Sequence, residues 1–260
     1  MKKISIIIPA YNEEKRICKT LEAYEEFFKK LKNQKLLDFE IIVVINNTKD
    51  KTKEIVSTFS KKYPEIRYLD FKQGGKGFAI IEGFKEALKG KSDLIGFVDA
   101  DMATGPESFY WLIRDIGTYD GAIASRSMKG SKIDTSLKRA ITHKGFNLIV
   151  RGILFLPYRD TQCGAKVFKR EAIKSVVNEL GATQWGFDVD LLYRLRKKGF
   201  KIKEVPTIWK DVAGSKLNLK SVPIKMLAMV IRLRIINSPF KDFIRLYEKM
   251  PEKLKFHHHI

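Results

Sequence analysis

Hydrophobic and polar positions divide the first 100 residues into two alternating kinds of segment. Short runs of β-branched and other apolar residues predict buried strands, and the longer stretches between them carry apolar residues at helical spacing. The predicted strands are 4–8, 40–45, 66–70 and 94–98, and the predicted helices are 13–32, 50–61 and 76–89. Because helices that alternate with strands favour parallel pairing, this order predicts an α/β domain with a mostly parallel, Rossmann-like central sheet flanked by helices.

The pattern is less regular after residue 105. A helix is predicted from Pro106, and the later elements are strands at 121–125, 165–169 and near 201–209 and helices at about 134–155, 170–178 and 186–198. The turn-like sequence that follows Val212 is AGSKLNLKS. It divides the chain into a main domain of residues 1–212 and a C-terminal appendage of residues 213–260, which we expect to form basic amphipathic helices.

Polar motifs follow the ends of the first four predicted strands. In an open parallel sheet, ligands bind beyond the carboxyl ends of the strands, so these motifs are expected to meet at one edge. The motifs are PAYNE at 9–13, NNT at 46–48, QGGKG at 73–77 and DAD at 99–101.

The Asp-Ala-Asp motif has two physical interpretations. In extended chain, Asp99 and Asp101 point the same way, and their oxygens suit Mg²⁺ or Mn²⁺, with a diphosphate supplying further ligands. Alternatively, Asp99 ends the strand and Asp101 begins an Asx-turn. The motif by itself leaves both interpretations open.

Three further motifs carry candidate chemistry. The glycines around Lys76 let the backbone approach a phosphate or sugar, although an ordinary glycine-rich turn explains them equally well. Gln162, in an Asp-Thr-Gln turn before a strand, and Trp185 suit sugar or acceptor recognition. Asp188 is either a base near the acceptor or simply a negative charge at a helix N-terminus.

Composition and charge narrow the partners. The 260 residues include 50 Lys and Arg against 30 Asp and Glu, and the net charge of +20 favours an anionic partner. Nucleic acid is not expected, since no helix-turn-helix, zinc-finger or RNP-like pattern is present. Two distant cysteines indicate a reducing compartment, and no apolar run resembles a signal peptide or spans a bilayer, so we expect a cytoplasmic protein.

Two basic, apolar segments suggest contact with a membrane surface. Arg139 and Arg151 lie among apolar residues in the stretch at 134–155, and a similar mixture occurs at 222–240. Helices of this kind can lie in the headgroup layer, which predicts peripheral association with the cytoplasmic membrane face. The alternative is a helix that packs on the domain with its basic side chains solvated.

Together these motifs resemble the inverting family 2 glycosyltransferases of GT-A fold, and among them most of all the dolichyl-phosphate β-glucosyltransferases and then the dolichol-phosphate mannose synthases. The resemblance covers about residues 2–212, and the Asp-Thr-Gln-Cys-Gly run at 160–164 is its most specific part. It implies a metal-dependent transferase that moves a hexose from a nucleotide diphosphate sugar to a polyprenyl phosphate. UDP-glucose is the first expected donor and GDP-mannose the second.

The resemblance also assigns roles to individual residues. It implies that Asp99 and Asp101 hold the diphosphate through the metal and that Asp188 occupies the position of the superfamily's catalytic carboxylate, with Asp101 counted as catalytic too. Acceptor or sugar contacts are expected from Arg139, Arg151, Gln162 and Trp185. The residues expected to bind the donor are Pro9, Tyr11, Glu13, Asn46, Lys76, Asp99 and Arg126.

One departure concerns the second strand end, where the family commonly has Asp-Asp-Gly-Ser and this chain has Asn46 and Asn47. An amide there replaces an acid that would accept a hydrogen bond from a base, so the nucleotide is left open. Other functions remain as alternatives: a glycan-extending transferase with a sugar hydroxyl acceptor, a nucleic-acid-binding protein, and a non-catalytic nucleotide-sugar-binding protein. The sequence does not set the oligomeric state.

Overall fold

The computed structural model describes residues 1–181, 186–211 and 222–238. Within these ranges a seven-stranded sheet lies between two layers of helices, and a two-stranded ribbon lies beside it. The strands are β1 (Lys3–Ala10), β2 (Asp38–Asn46), β3 (Ile66–Phe71), β4 (Leu94–Val98), β5 (Gly121–Ser125), β6 (Lys132–Asp134), β7 (Ala165–Lys169), β8 (Ile202–Pro206) and β9 (Ile208–Lys210). The helices are α1 (Ile17–Asn33), α2 (Thr52–Lys62), α3 (Lys76–Lys89), α4 (Pro106–Asp115), α5 (Leu137–Leu154), α6 (Arg170–Val176), α7 (Phe187–Lys197) and α8 (Val222–Ile236).

The sheet has the strand order β3-β2-β1-β4-β7-β5-β8. All neighbouring strands are parallel except β7, which is antiparallel to both β4 and β5. The mostly parallel sheet predicted from the sequence is therefore confirmed. Because β7 runs the other way, its first residues lie at the edge where β4 ends, and the amide of Asp99 donates to the carbonyl of Gly164 (3.2 Å).

The apolar strands are buried on both faces. In β1, Ile6 and Ile8 belong to the core cluster under α1 and α4, whereas Ile7 belongs to the cluster under α3, α6 and α7. A continuous apolar run is the expected sequence of a strand covered by helices on both sides, since neither face meets water. The sheet is thus a rigid support for the polar residues that follow its strands.

The C-terminal half contains one strand that was not predicted, β6. The strands expected near 201–209 are β8 and β9, separated by the buried Thr207. β9 leaves the main sheet, pairs with the three-residue strand β6, and forms an isolated bridge with Thr104 after β4. The β6–β9 ribbon therefore lies beside the edge of the main sheet at which β4 ends.

Helix α8 is the described part of the predicted appendage, and it packs against α5. Val230 and Leu233 of α8 are buried in one cluster with Phe146 and Val150 of α5. The predicted domain boundary after Val212 lies outside the described residues. In the ranges that the structure describes, no helix combines the length and the hydrophobicity needed to cross a bilayer.

Candidate active site

A row of alternating charges lies at the carboxyl ends of the central strands. Lys166 donates to Asp188 (Nζ to Oδ1, 2.5 Å), and the ammonium of Lys76 lies 3.9 Å from the other oxygen of Asp188. The same ammonium is 2.6 Å from Oδ1 of Asp99. Three segments that are distant in sequence, at the starts of α3 and α7 and at the end of β4, therefore meet around Lys76.

The backbone before α3 fixes the position of Lys76. Gly75 has a φ of 125°, which a residue with a Cβ rarely adopts, and Lys76 is the first residue of the helix that follows. With its amide oriented to satisfy both partners, Asn46 donates to the carbonyl of Ala10 (2.8 Å) and accepts from the amide of Gly75 (3.0 Å). Asn46 thus ties the ends of β1 and β2 to the glycine turn.

Electrostatic interactions keep Lys76 charged. Burial alone would lower the pKa of this ammonium, but the carboxylates of Asp99 and Asp188 outweigh burial and hold the pKa above its ordinary value. The site therefore contains a positive charge, the ammonium of Lys76, between the carboxylates of Asp99 and Asp188.

The structure of the Asp101 carboxylate is compatible with both interpretations of the Asp-Ala-Asp motif, the turn and the metal site. Its Oδ1 accepts from the amide of Ala103 (3.0 Å), and Met102 between them has a φ of 62°, so Asp101 does begin an Asx-turn. The turn uses one oxygen of a carboxylate that remains partly exposed. A structural role in the turn and a ligand role for the second oxygen are compatible.

The carboxylates at this edge suit a divalent cation that takes its remaining ligands from a substrate. Among the described residues, no three His, Cys, Asp or Glu side chains converge as a complete metal cage. Mg²⁺ commonly takes one or two carboxylates and completes its shell with waters and substrate phosphates. Asp99 and Asp101 supply that number, so they are the residues that would hold Mg²⁺ or Mn²⁺.

Asp188 is held by a fully buried lysine that the sequence analysis did not select. Asp188 lies in the first turn of α7, where a negative charge is favourable, so the simple helix-terminus interpretation is also correct. Lys166 is 0% exposed and also donates to the carbonyl of Cys163 (2.6 Å). A buried lysine requires a charged partner, and Asp188 is that partner.

Arg126, an expected donor contact, is engaged in a second buried cluster. Its guanidinium makes two hydrogen bonds to Asp160 (Nε to Oδ2, 2.7 Å; Nη2 to Oδ1, 2.9 Å) and one to Nδ1 of His143 (3.2 Å). Burial alone would raise the pKa of Asp160, but the charge and hydrogen bonds of Arg126 hold this pKa well below its usual range. Burial, and then Arg126, lower the pKa of His143 to about 4, so this ring is neutral and its Nδ1 accepts.

Asp160 also shapes the loop of the Asp-Thr-Gln-Cys-Gly run. Its Oδ1 accepts from the amides of Gln162 (3.1 Å) and Cys163 (3.2 Å). Asn147 of α5 fixes Thr161, the residue after Asp160, by accepting hydrogen bonds from both its amide (2.8 Å) and its hydroxyl (2.9 Å). The side chain of Gln162 is half-buried at this edge.

Trp209, on β9, brings two arginines together. The centroid of its ring lies 5.2 Å from Cζ of Arg126 and 5.9 Å from Cζ of Arg139. Arg139 also pairs with Asp211. Trp209 lies in the region where strands were expected, but it was not selected as a site residue.

The residues expected to contact the nucleotide lie at or directly after the carboxyl end of β1. Pro9 is half-buried within the strand, and Tyr11 is an exposed aromatic side chain directly after it. Glu13 forms a two-point ion pair with Arg16 (2.6 and 2.7 Å), while its backbone amide donates to Thr52. Tyr11 thus presents an exposed aromatic side chain directly after the end of β1.

The expected acceptor residues do not form one cluster. Arg139 and Arg151 are twelve residues apart on α5, which separates them by about 18 Å along the helix axis, so one phosphate cannot bind both. Arg139 lies near Arg126 and Trp209, whereas Arg151 is exposed. Trp185, the fourth expected residue, lies outside the described residues.

Solved structures share this architecture. Glucosyl-3-phosphoglycerate synthase from Mycobacterium tuberculosis in complex with Mg²⁺ and UDP matches with a TM-score of 0.64 at 18% identity, over 90% of this chain and 78% of that chain. The same protein with Mn²⁺, UDP-glucose and phosphoglyceric acid matches with a TM-score of 0.62 at 19% identity, over 90% and 79% of the two chains. The architecture is therefore the GT-A fold.

Sequence comparisons specify the family. Residues 5–177 match the sequence model of Glycosyl transferase family 2. The dolichyl-phosphate beta-glucosyltransferase of Dictyostelium discoideum is 33% identical over 89% of this chain and 73% of its own length. The human dolichyl-phosphate beta-glucosyltransferase is 32% identical over 83% and 70%. The chain belongs to glycosyl transferase family 2, and the glycosyltransferase class predicted from its motifs is confirmed.

Proposed function

We propose that this chain is a metal-dependent inverting transferase that moves a hexose from a nucleotide diphosphate sugar to a polyprenyl phosphate such as dolichyl phosphate. Relatives at 32% and 33% identity over most of the chain are named for transfer of glucose to dolichyl phosphate. Structural neighbours bind UDP with Mg²⁺ or Mn²⁺. UDP-glucose is therefore the first expected donor and GDP-mannose the second.

The observation that carries the choice of acceptor is the ion pair between Asp188 and Lys166. A sugar hydroxyl must lose its proton as it attacks, so it requires a base. The carboxylate at the expected base position is instead held at 2.5 Å by a buried ammonium, and Lys76 lies near its second oxygen. A lipid phosphate is already anionic and needs no base, so a carboxylate that is held by an ion pair fits a phosphate acceptor better than a hydroxyl acceptor.

The reaction then requires no proton transfer at Asp188. A phosphate oxygen of the acceptor attacks the anomeric carbon from the face opposite the diphosphate, the bond from that carbon to the diphosphate breaks, and the nucleoside diphosphate leaves. Lys76, which lies beside Asp99, is the candidate for contact with the developing negative charge, and the exposed Tyr11 is the candidate for stacking on the nucleotide. Arg139 is the candidate for the acceptor phosphate. Mg²⁺ or Mn²⁺ at Asp99 and Asp101 would add positive charge to the diphosphate leaving group.

Helix α5 has an apolar stripe on its exposed side that suits a lipid surface. Leu137, Ile141 and Leu148 recur at helical spacing and are 77%, 62% and 68% exposed, and Phe155, which directly follows the helix, is 67% exposed. The exposed Lys144 and Arg151 border this stripe, and the guanidinium of Arg234 lies 5.0 Å from the ring of Phe155. We define Leu137, Ile141, Leu148 and Phe155 as the α5 stripe.

The positive charges beside the α5 stripe favour an anionic lipid surface as its partner. Its bordering cations complement an anionic headgroup layer, and each basic residue near such a surface contributes up to about 1 kcal/mol. The acceptor proposed above is itself a lipid, so contact with a membrane would bring the site to its substrate. We therefore propose peripheral association with the cytoplasmic membrane face, through the α5 stripe and the appendage of residues 213–260.

Changing Ile141 and Leu148 together to glutamate should weaken binding to phosphatidylserine-rich vesicles by about tenfold or more, since two side chains of this size lose their apolar burial in the headgroup region. Sedimentation with vesicles measures the effect. Leu36→Glu is the matched control, because Leu36 is also exposed but lies after α1, away from the stripe. Equal losses in the two proteins would contradict a docking role for the stripe.

A transfer assay tests the proposed activity. The purified chain should move labelled glucose from UDP-glucose into a polyprenyl phosphate in the presence of Mg²⁺ or Mn²⁺, with GDP-mannose compared in parallel. NMR of the product should show the inverted anomer. Transfer to free sugar hydroxyls without transfer to polyprenyl phosphate would instead support a glycan-extending enzyme, and transfer in EDTA would contradict the metal requirement.

A further inference from the structure

The two oxygens of the Asp99 carboxylate have different neighbours, Gly164 for Oδ2 and Lys76 for Oδ1. The Oδ2 atom lies against Gly164 so closely that a Cβ at that position would be 2.0 Å away. The Oδ1 atom is 2.6 Å from the ammonium of Lys76. A divalent cation that binds Oδ1 of Asp99 must therefore displace the ammonium of Lys76.

Lys76 has an alternative position within reach. Its ammonium is 3.9 Å from Oδ2 of Asp188, and a lysine side chain can move its charge on a flexible four-carbon stem while its backbone stays fixed. The backbone here is fixed by Gly75, whose amide is held by Asn46. Release from Asp99 thus requires a side-chain movement alone.

We propose that Lys76 occupies the cation position at Asp99 in the free protein and leaves it only when a diphosphate arrives, so that the divalent cation and the donor bind together. The inference rests on the proposed function in taking the donor to be a nucleotide diphosphate. The diphosphate brings negative oxygens that give the ammonium a new partner, and it brings ligands that complete the shell of the metal. Without it, Lys76 and the metal repel each other at one carboxylate.

The expected consequence is that wild-type protein binds Mn²⁺ weakly in the absence of nucleotide. Lys76→Met removes the competing ammonium but keeps the length of the side chain, and it should bind Mn²⁺ alone about tenfold more tightly or better, a change of about 1.4 kcal/mol. The stimulation of Mn²⁺ binding by UDP should be smaller in this variant than in wild type. Electron paramagnetic resonance of free Mn²⁺ measures both affinities directly and needs no turnover.

Two further variants control the titration. Lys72→Met removes the same charge from an exposed lysine in the loop before α3, and its Mn²⁺ affinity should match wild type. Adding Asp101→Asn to Lys76→Met should abolish the gain, because the added affinity depends on the Asp99 and Asp101 pair. Lys76→Gln, checked by thermal unfolding, replaces Lys76→Met if that variant does not fold.

An Mn²⁺ affinity of Lys76→Met or Lys76→Gln within twofold of wild type would overturn the inference and leave the transfer assay unaffected. Conversely, a wild-type protein that transfers no sugar to polyprenyl phosphate would overturn the proposed function, whereas the titration would still decide the role of Lys76. A gain in affinity that persists with Asp101→Asn would place the metal elsewhere and also overturn the inference.

Discussion

Asp101→Asn will reduce sugar transfer by about 10²–10³-fold, the loss typical of removing one preorganised electrostatic contact from an active site, while the fold stays intact. The amide oxygen of asparagine can still accept the hydrogen bond from Ala103, so the Asx-turn after β4 is kept. What disappears is the negative charge that would face the divalent cation. The variant therefore separates the turn role of this side chain from its proposed role as a metal ligand, whereas Asp101→Ala would remove both.

The measurements are transfer rates with UDP-glucose and polyprenyl phosphate, unfolding curves, and UDP binding with and without Mn²⁺. Asp70→Asn is the matched control, since Asp70 lies near the carboxyl end of β3 in an exposed ion pair with Lys53 that contributes little to stability. We expect unfolding curves like wild type for both variants and a loss of metal-dependent UDP binding only for Asp101→Asn. Transfer within a few-fold of wild type in Asp101→Asn would exclude Asp101 as a metal ligand.

Much of the site could be predicted because its chemistry follows strand ends. Asp99, Asp101 and Lys76 each come directly after a strand or a glycine turn whose local pattern is clear. Parallel pairing then brings those ends to one edge, so proximity follows from topology without knowledge of any side-chain contact. The same reasoning locates Tyr11 and Asn46 at that edge, but it cannot show that Asn46 uses its amide to hold Gly75 and Ala10.

Lys166 shows where this reasoning fails. In the run AKVFK it resembles an ordinary polar position of a strand, and lysines are almost never fully buried. Its partner Asp188 is 22 residues away, beyond any local spacing rule. The signal that could have found it is the strand itself: β7 is central in the sheet, so an inward lysine there must have an acidic partner.

The pairing of β6 with β9 was missed for a different reason. Strands were expected near 201–209, but β6 was not, because three residues are too few for an alternating pattern to differ from chance. Trp209 and its contacts with Arg126 and Arg139 therefore could not be predicted. The antiparallel direction of β7 could not be predicted either, since no hairpin turn precedes this strand.

Lys166→Met should lower the free energy of unfolding by about 3–5 kcal/mol, because it leaves the carboxylate of Asp188 buried without its closest partner. Asp188→Asn should be destabilising for the complementary reason, since it leaves a fully buried ammonium. Lys169→Met is the control on the same strand: Lys169 is partly exposed, and its nearest acid is 3.9 Å away, so the effect should be below about 1 kcal/mol.

The double variant Lys166→Met with Asp188→Asn makes this test decisive. If the two charges stabilise each other, the double variant should be less destabilised than the sum of the single variants by about 1–3 kcal/mol, as measured by urea unfolding. Additive losses would show that the pair contributes no coupling. Because the double variant removes Asp188 without leaving an unpaired charge, its activity also bears on the acceptor. A catalytic base typically contributes about 10²–10⁴-fold, so retention of more than about 1% of the transfer to polyprenyl phosphate would show that Asp188 is not one.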